Sequence, residues 1–184
     1  MKAACAVAIA LLISAPAVAQ SIEYKVLATS KTSTMEKELN DAGALGFRFS
    51  VVMGGGTAGG GNEVVVLMQK NAGASGTYRY RLLATSKTST MQKEMSDAAA
   101  DGYDYVGQTV FASAFGGAEL VSIVEGGAAP VSPYTYKLIA TSKTSTLQQE
   151  ANALGHDGFE ALGMTVGKTA LGGNELVVIS RKKK

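Results

Sequence analysis

Three times along this chain the spacing of apolar positions changes in the same order. A short run headed by an aromatic comes first: Tyr24-Lys25-Val26-Leu27, then Tyr80-Arg81-Leu82-Leu83, then Tyr136-Lys137-Leu138-Ile139. Each has the length and composition of a strand. The spacing then becomes helical, through Met35, Leu39 and Ala42, through Met91, Met95 and Ala98, and through Leu147, Ala151 and Leu154. Gly46, Gly102 and Gly158 follow, placed to end each helix with a left-handed residue. A second strand is expected from Phe47, Tyr103 and Phe159, and a third after Glu63, Glu119 and Glu175.

The period of the pattern is 56 residues, because Ala28–Thr34 recurs unchanged at Ala84–Thr90 and at Ala140–Thr146. Such self-similarity points to one supersecondary unit repeated in tandem. Ser33, Ser89 and Ser145 each stand three residues before Glu36, Gln92 and Gln148. That is the spacing of a capping box, in which the hydroxyl accepts a first-turn amide and the longer side chain reaches back. The third strands, Val64-Val65-Val66-Leu67, Leu120-Val121-Ser122-Ile123 and Leu176-Val177-Val178-Ile179, are largely apolar on both faces. A helix covers only one face of a three-stranded sheet, so the units must bury the other against one another. The expected fold is α+β: three tandem βαββ repeats whose mostly antiparallel sheets pack together, closed or sandwiched, in a pseudo-threefold arrangement. The repeats are expected at residues 20–70, 78–125 and 134–184, with linkers rich in Gly, Ala, Ser or Pro at 71–77 and 126–133.

Residues 1–19 stand outside the repeat. Lys2, the uncharged apolar run from Ala3 to Ile13, the break at Ser14-Ala15-Pro16 and the small residues Ala17-Val18-Ala19 have the form of a secretory signal cut after Ala19. The apolar run is shorter than the roughly 20 residues of a membrane span. An exported protein, periplasmic or secreted, with no transmembrane segment in its mature part, is the expectation. Cys5 is the only cysteine and lies within this signal, so the mature chain carries neither a disulfide nor a thiol. With 46% hydrophobic and 17% charged residues, its core must suffice. Setting aside Lys2 and the terminal Arg181-Lys182-Lys183-Lys184 leaves 12 of 17 Lys and Arg against 15 Asp and Glu, a net charge of −3. A body of that sign is a poor nucleic-acid surface. The four terminal cations read as a solvated chain end.

The repeated unit resembles a small bacterial family of unknown function built on the same strand–helix–strand–strand pattern. The third copy carries the resemblance most fully, through Tyr136-Lys137-Leu138, Gly155-His156-Asp157-Gly158-Phe159-Glu160 and Ile179-Ser180-Arg181. The first carries it through Tyr24-Lys25-Val26 and Leu39-Asn40-Asp41-Ala42-Gly43. The second departs, with Ala98-Ala99-Ala100 and Tyr103-Asp104 at the corresponding places. The resemblance implies a fold and no activity. In element order alone the unit is also similar to dodecin-type flavin binders, but the chain has no tryptophan to stack on a flavin, and no cofactor is expected.

Candidate chemistry is sparse. Gly163-Met164-Thr165-Val166-Gly167-Lys168-Thr169 has one residue too few for a phosphate loop and runs from strand to strand instead of into a helix. Gly54-Gly55-Gly56-Thr57-Ala58-Gly59-Gly60-Gly61 reads as a loop-tip insertion. His156 is the sole histidine, in a polar helix-end turn beside Asp157. Glu63, Glu119 and Glu175 would act as acid–base partners only if the fold gathered them. No catalytic residue and no metal ligand is assigned. The strongest feature is the repeated loop. Ser30, Lys31 and Thr32, Ser86, Lys87 and Thr88, and Ser142, Lys143 and Thr144 lie in its identical seven-residue block. The second strands of the three units, by contrast, share no identical column over Phe47-Arg48-Phe49, Tyr103-Asp104-Tyr105 and Phe159-Glu160-Ala161. Hydroxyls, a lysine and the free amides of a helix start favour an anion. Capping is the competing cause, accounting for the serine at 33 but not for the lysine. The expected function is a non-enzymatic binding or interaction module, its unknown ligand anionic in character. The alternative is a structural or envelope scaffold with no small ligand. An enzyme is the weakest reading.

Overall fold

A computed structural model describes residues 21–58, 61–112, 118–126, 130–168 and 173–184. The proposed signal, residues 1–19, lies outside them. Each 56-residue period forms a strand, a helix and two strands. Unit 1 is β1 (Ile22–Thr29), α1 (Thr32–Ala44), β2 (Arg48–Thr57) and β3 (Gly61–Asn71). Unit 2 is β4 (Arg79–Thr85), α2 (Thr88–Ala100), β5 (Tyr103–Ala112) and β6 (Ala118–Gly126). Unit 3 is β7 (Tyr134–Thr141), α3 (Thr144–His156), β8 (Glu160–Lys168) and β9 (Asn174–Lys183). The third strand lies at the centre of each sheet, antiparallel to both neighbours, in the orders β1-β3-β2, β4-β6-β5 and β7-β9-β8. This is why its residues are apolar on both faces: it is the strand that water reaches least. Gly46, Gly102 and Gly158 end the helices with φ of 86°, 81° and 82°, the left-handed backbone expected of them.

The helix starts differ from expectation. Lys31, Lys87 and Lys143 occupy the N-cap positions in extended conformation, and no side chain caps any of the three helices. The serines at 33, 89 and 145 fall two positions past the N-cap, too late to cap. Thr29, Thr85 and Thr141 shape the approach instead, each hydroxyl oxygen accepting the amide of the lysine two residues on, at 3.2, 3.2 and 3.5 Å. These are threonine turns, not caps.

The sheets pack together through shared cores, each unit on the next, and Val51, Val52, Gly107, Gln108, Gly163 and Met164 of β2, β5 and β8 line one groove. α1 lies chiefly along β4 of the next unit, and α2 chiefly along β7. One core joins Met35, Leu39, Val64 and Val66 of unit 1 to Tyr80, Phe111 and Ile123 of unit 2. A second joins Met91, Met95 and Val124 of unit 2 to Tyr136, Val177 and Ile179 of unit 3. A third, small core of Ile139, Leu154 and Val178 stays within unit 3. The stacking is close. A methyl group at Gly43 would overlap the carbonyl oxygen of Tyr78, and one at Gly54 the carbonyl oxygen of Val110. Gly54 thus belongs to β2 at a junction. The part of its glycine run read as a loop tip is confined to the hairpin, of which residues 59 and 60 lie outside the described structure.

The basic end is also part of the fold. β9 runs to Lys183, and the Arg181 guanidinium sits 4.4 Å from the Tyr134 ring centre. Lys182 donates to the carbonyl of Asp157 at the end of α3, as Lys70 does to Leu45 at the end of α1, both at 2.7 Å. Cations there meet the negative pole of the helix. Lys184 donates to the carbonyl of Ser132 at 2.9 Å. The expectation of a solvated tail is therefore corrected: these side chains have partners that only the folded unit supplies.

Candidate functional site

The repeated loops stand at the turn from first strand to helix in every unit. Ser30, Lys31, Ser86, Lys87, Ser142, Lys143 and Thr144 are exposed, and Thr32 and Thr88 half-buried. None of the three lysines forms an ion pair with a described residue. Each caps its helix through backbone alone: the carbonyls of Lys31, Lys87 and Lys143 accept the amides of Met35, Met91 and Leu147 at 3.0–3.1 Å. The lysine side chain is left to solvent at the positive pole of a helix. Because α1 lies along β4, its start and the second loop are near neighbours. Thr32 and Ser33 line a groove of about 350 Å³ together with Leu83 and Ala84, which lead directly into Ser86-Lys87. The same groove holds Glu36 and Glu94. Burial raises the Glu94 carboxyl above its ordinary range, reinforced by Asp97, and its Oε2 is buried without a hydrogen bond. An anion is thus disfavoured inside the groove and favoured only on the outer side of the loops, at the lysines.

Glu36 and Gln92, two of the three residues expected to close capping boxes, act across the junctions. Glu36 accepts the amide of Leu82 at 2.8 Å. Gln92 donates to the carbonyl of Tyr136 at 3.0 Å and accepts the amide of Leu138 at 2.8 Å. Asn40 both donates to the Tyr80 carbonyl and accepts its amide, at 2.9 and 3.0 Å. These side chains complete the outer edge of the following unit's first strand, which its own sheet leaves unpaired.

Tyrosines knit the same junctions. A β-bulge in the second strand of each unit frees an amide. The Phe49 amide donates to the Tyr80 hydroxyl, and the Tyr105 amide to the Tyr136 hydroxyl, both at 2.9 Å. Tyr80 then donates to Glu125, which Arg48 of unit 1 holds at 2.9 Å. Tyr136 donates to Asp104, which also accepts Ser132. Burial pushes the Tyr136 hydroxyl up to about 12, and that of Tyr80 upward too. The Tyr–carboxylate constellation was not legible in the sequence, where Glu125 and Asp104 occupy different places in the repeat. The recurrence of tyrosine at the head of each unit was its one signal.

The other candidates do not meet. His156 is exposed in the last turn of α3. Glu63 accepts the Thr57 hydroxyl of its own hairpin, and Glu119 and Glu175 pair in register with Phe111 and Gly167 of theirs. Among the described residues no group of three or more His, Cys, Asp or Glu could hold a metal ion, and no helix is long and apolar enough to cross a membrane. The segment from Gly163 lies in β8. A methyl group at Gly163 would overlap the Tyr105 hydroxyl, so this glycine serves packing; Thr169 lies outside the described residues. Comparison with family models, with curated proteins and with solved structures found no match.

Proposed function

We propose that this is an exported, non-enzymatic interaction module that presents its three Thr-Ser-Lys-Thr-Ser loops to an anionic partner, an envelope polyanion being the chemistry that fits. Its units are read as members of the small bacterial family that they resemble. One observation carries the reading: among the described residues, Lys31, Lys87 and Lys143 form no ion pair and Ser33, Ser89 and Ser145 cap no helix, though the loops hold them identical. Capping was the structural reason for that identity, and no side chain caps these helices. What the fold does require of the block is Thr29 and its copies for the turn, and an apolar residue just beyond it. Lysine at the positive pole of a helix is electrostatically unfavourable, so an identical lysine there implies an anion that offsets both.

The test is replacement of Lys31, Lys87 and Lys143 by glutamine together. The melting temperature should stay the same or rise slightly. Binding to an immobilised acidic polysaccharide should be strong and salt-sensitive in the parent and weak in the variant. Equal binding by both proteins would sink the reading. The scaffold alternative is favoured by a separate observation, the two unmatched end faces of the stack.

A further inference from the structure

Each internal junction has two halves, and among the described residues unit 1 and unit 3 each leave one half without a partner. At the start of the chain, β1 is an edge strand with no preceding unit among the described residues. Tyr24 is 56% exposed, whereas its counterparts Tyr80 and Tyr136 are 2% and 4% exposed. Val26, Val51 and Met53 on the same side of the unit 1 sheet are 64%, 55% and 59% exposed. Their places in unit 2 belong to Leu82, Gly107 and Thr109, all turned to unit 1: Leu82 packs on the first shared core, Gly107 lies against Phe49 and Thr109 against Gly54.

The far end carries the complementary half. Met164 and Val166 of β8 are 62% and 55% exposed. They correspond to Gln108 and Val110, of which Gln108 reaches unit 3 at Thr165. On α3, Gln148 and Asn152 repeat the positions of Glu36 and Asn40, and of Gln92 and Ser96. Among the described residues, the Gln148 and Asn152 side chains bond only to each other, at 3.0 Å. Gly155 repeats Gly43. At Gly43 the next unit comes so close that no side chain fits, and the Tyr78 amide donates to its carbonyl at 3.1 Å. A side chain at Gly155 would meet nothing within 4 Å. A helical glycine costs stability relative to alanine, and this chain alone gives Gly155 no compensating contact.

We propose that the β1 face of one chain docks on the α3 face of a second copy, reproducing the internal junction and continuing the series of units head to tail. In that contact Gln148 and Asn152 complete the outer edge of β1 at Tyr24 and Val26. The Tyr24 hydroxyl accepts the bulge amide of Ala161, the third in the series after Phe49 and Tyr105. Gly155 admits the strand at Ile22, and Tyr24 and Val26 bury against Leu147 and Ala151, which are only half-buried in one chain. The occupant is a second copy because these are the two halves of an interface that the chain already forms twice. Such a heterologous contact yields a closed ring or an open filament, according to the rotation per unit. It rests on the exposed faces of units 1 and 3 and stands whether or not the loops bind an anion.

Sedimentation velocity of the purified full chain, from micromolar to millimolar concentration, tests it with two variants. Tyr24→Lys combined with Val26→Glu blocks the first face; Gly155→Leu blocks the second. The parent should form species of several chains, and each variant alone should be a monomer. Gly155→Leu should melt no lower than the monomeric parent, since it fills open space on a helix. An equimolar mixture of the two variants should give a dimer and nothing larger, because it contains one intact face of each kind. A parent that is monomeric throughout, as when residues 1–20 cover the first face or the two ends close on each other within one chain, overturns the proposal. So does a variant that associates like the parent, or a mixture that stays monomeric. Should the double variant fail to fold, Gly155→Leu decides alone: association like the parent's overturns the proposal, and its loss supports it.

Discussion

At the scale of single residues, the junction tyrosines show how one side chain can combine packing with a polar duty. Tyr136 is 4% exposed, and its ring lies in the second shared core while its hydroxyl accepts the Tyr105 amide and donates to Asp104. Burial favours the neutral hydroxyl, which holds its proton up to about 12, against about 10 in an unfolded chain. The folded state therefore binds more protons than the unfolded state between those values. The stabilisation is complete below about pH 10 and is lost as pH rises towards about 12. Urea unfolding of the parent and of Tyr136→Phe should show this directly. The parent should be more stable near neutrality by about 1 kcal/mol, the worth of its hydrogen bonds, and its advantage should shrink steadily above about pH 10. A constant difference across that range would contradict the assignment.

At the scale of elements, α1 and α2 are each formed by their own unit and put to use by the next. Period, helix-ending glycine and threonine turn are local, and they place α1, α2 and α3 at equal positions in the three repeats. Polar residues of α1 and α2 then reach across to the first strand of the next unit. Two substitutions distinguish this from ordinary capping. Ser33→Ala should change stability by less than about 0.5 kcal/mol, as for a surface site away from any special contact. Gln92→Ala should cost about 1–3 kcal/mol, because the Tyr136 carbonyl and the Leu138 amide lose their partner. Thermal or urea denaturation of the two variants settles it. A capping box would reverse the order, with the serine costing more.

At the scale of the whole molecule, stability is shared between units. Unit 3 buries Tyr136, Val177 and Ile179 against unit 2, and its own core is small. A segment of about 50 residues is marginal even with a complete core. Residues 134–184 expressed alone should therefore be unfolded or self-associated, with no cooperative melt at low concentration. A stable, cooperative monomer would show that the shared cores are not required. The exposed faces of units 1 and 3 are the counterpart of the same economy, since among the described residues each of these units packs on one neighbour and unit 2 on two.

Much of this was written locally. The 56-residue period, the order of elements, the glycine helix ends and the doubly apolar central strands follow from interactions within a few residues, and so were legible along the chain. The loops were legible as a repeated block, of which the fold uses the Thr29, Thr85 and Thr141 hydroxyls for the turn. What tertiary structure alone decided is where each unit's partners lie. Glu36 and Gln92 have capping-box spacing, yet the helix begins at Thr32 and at Thr88, and a strand edge of the next unit claims their oxygens. Tyr24, Tyr80 and Tyr136 head the same motif, but among the described residues only the last two have a preceding unit to enclose them. Equal sequences met unequal surroundings, because burial belongs to the neighbours a residue has in space.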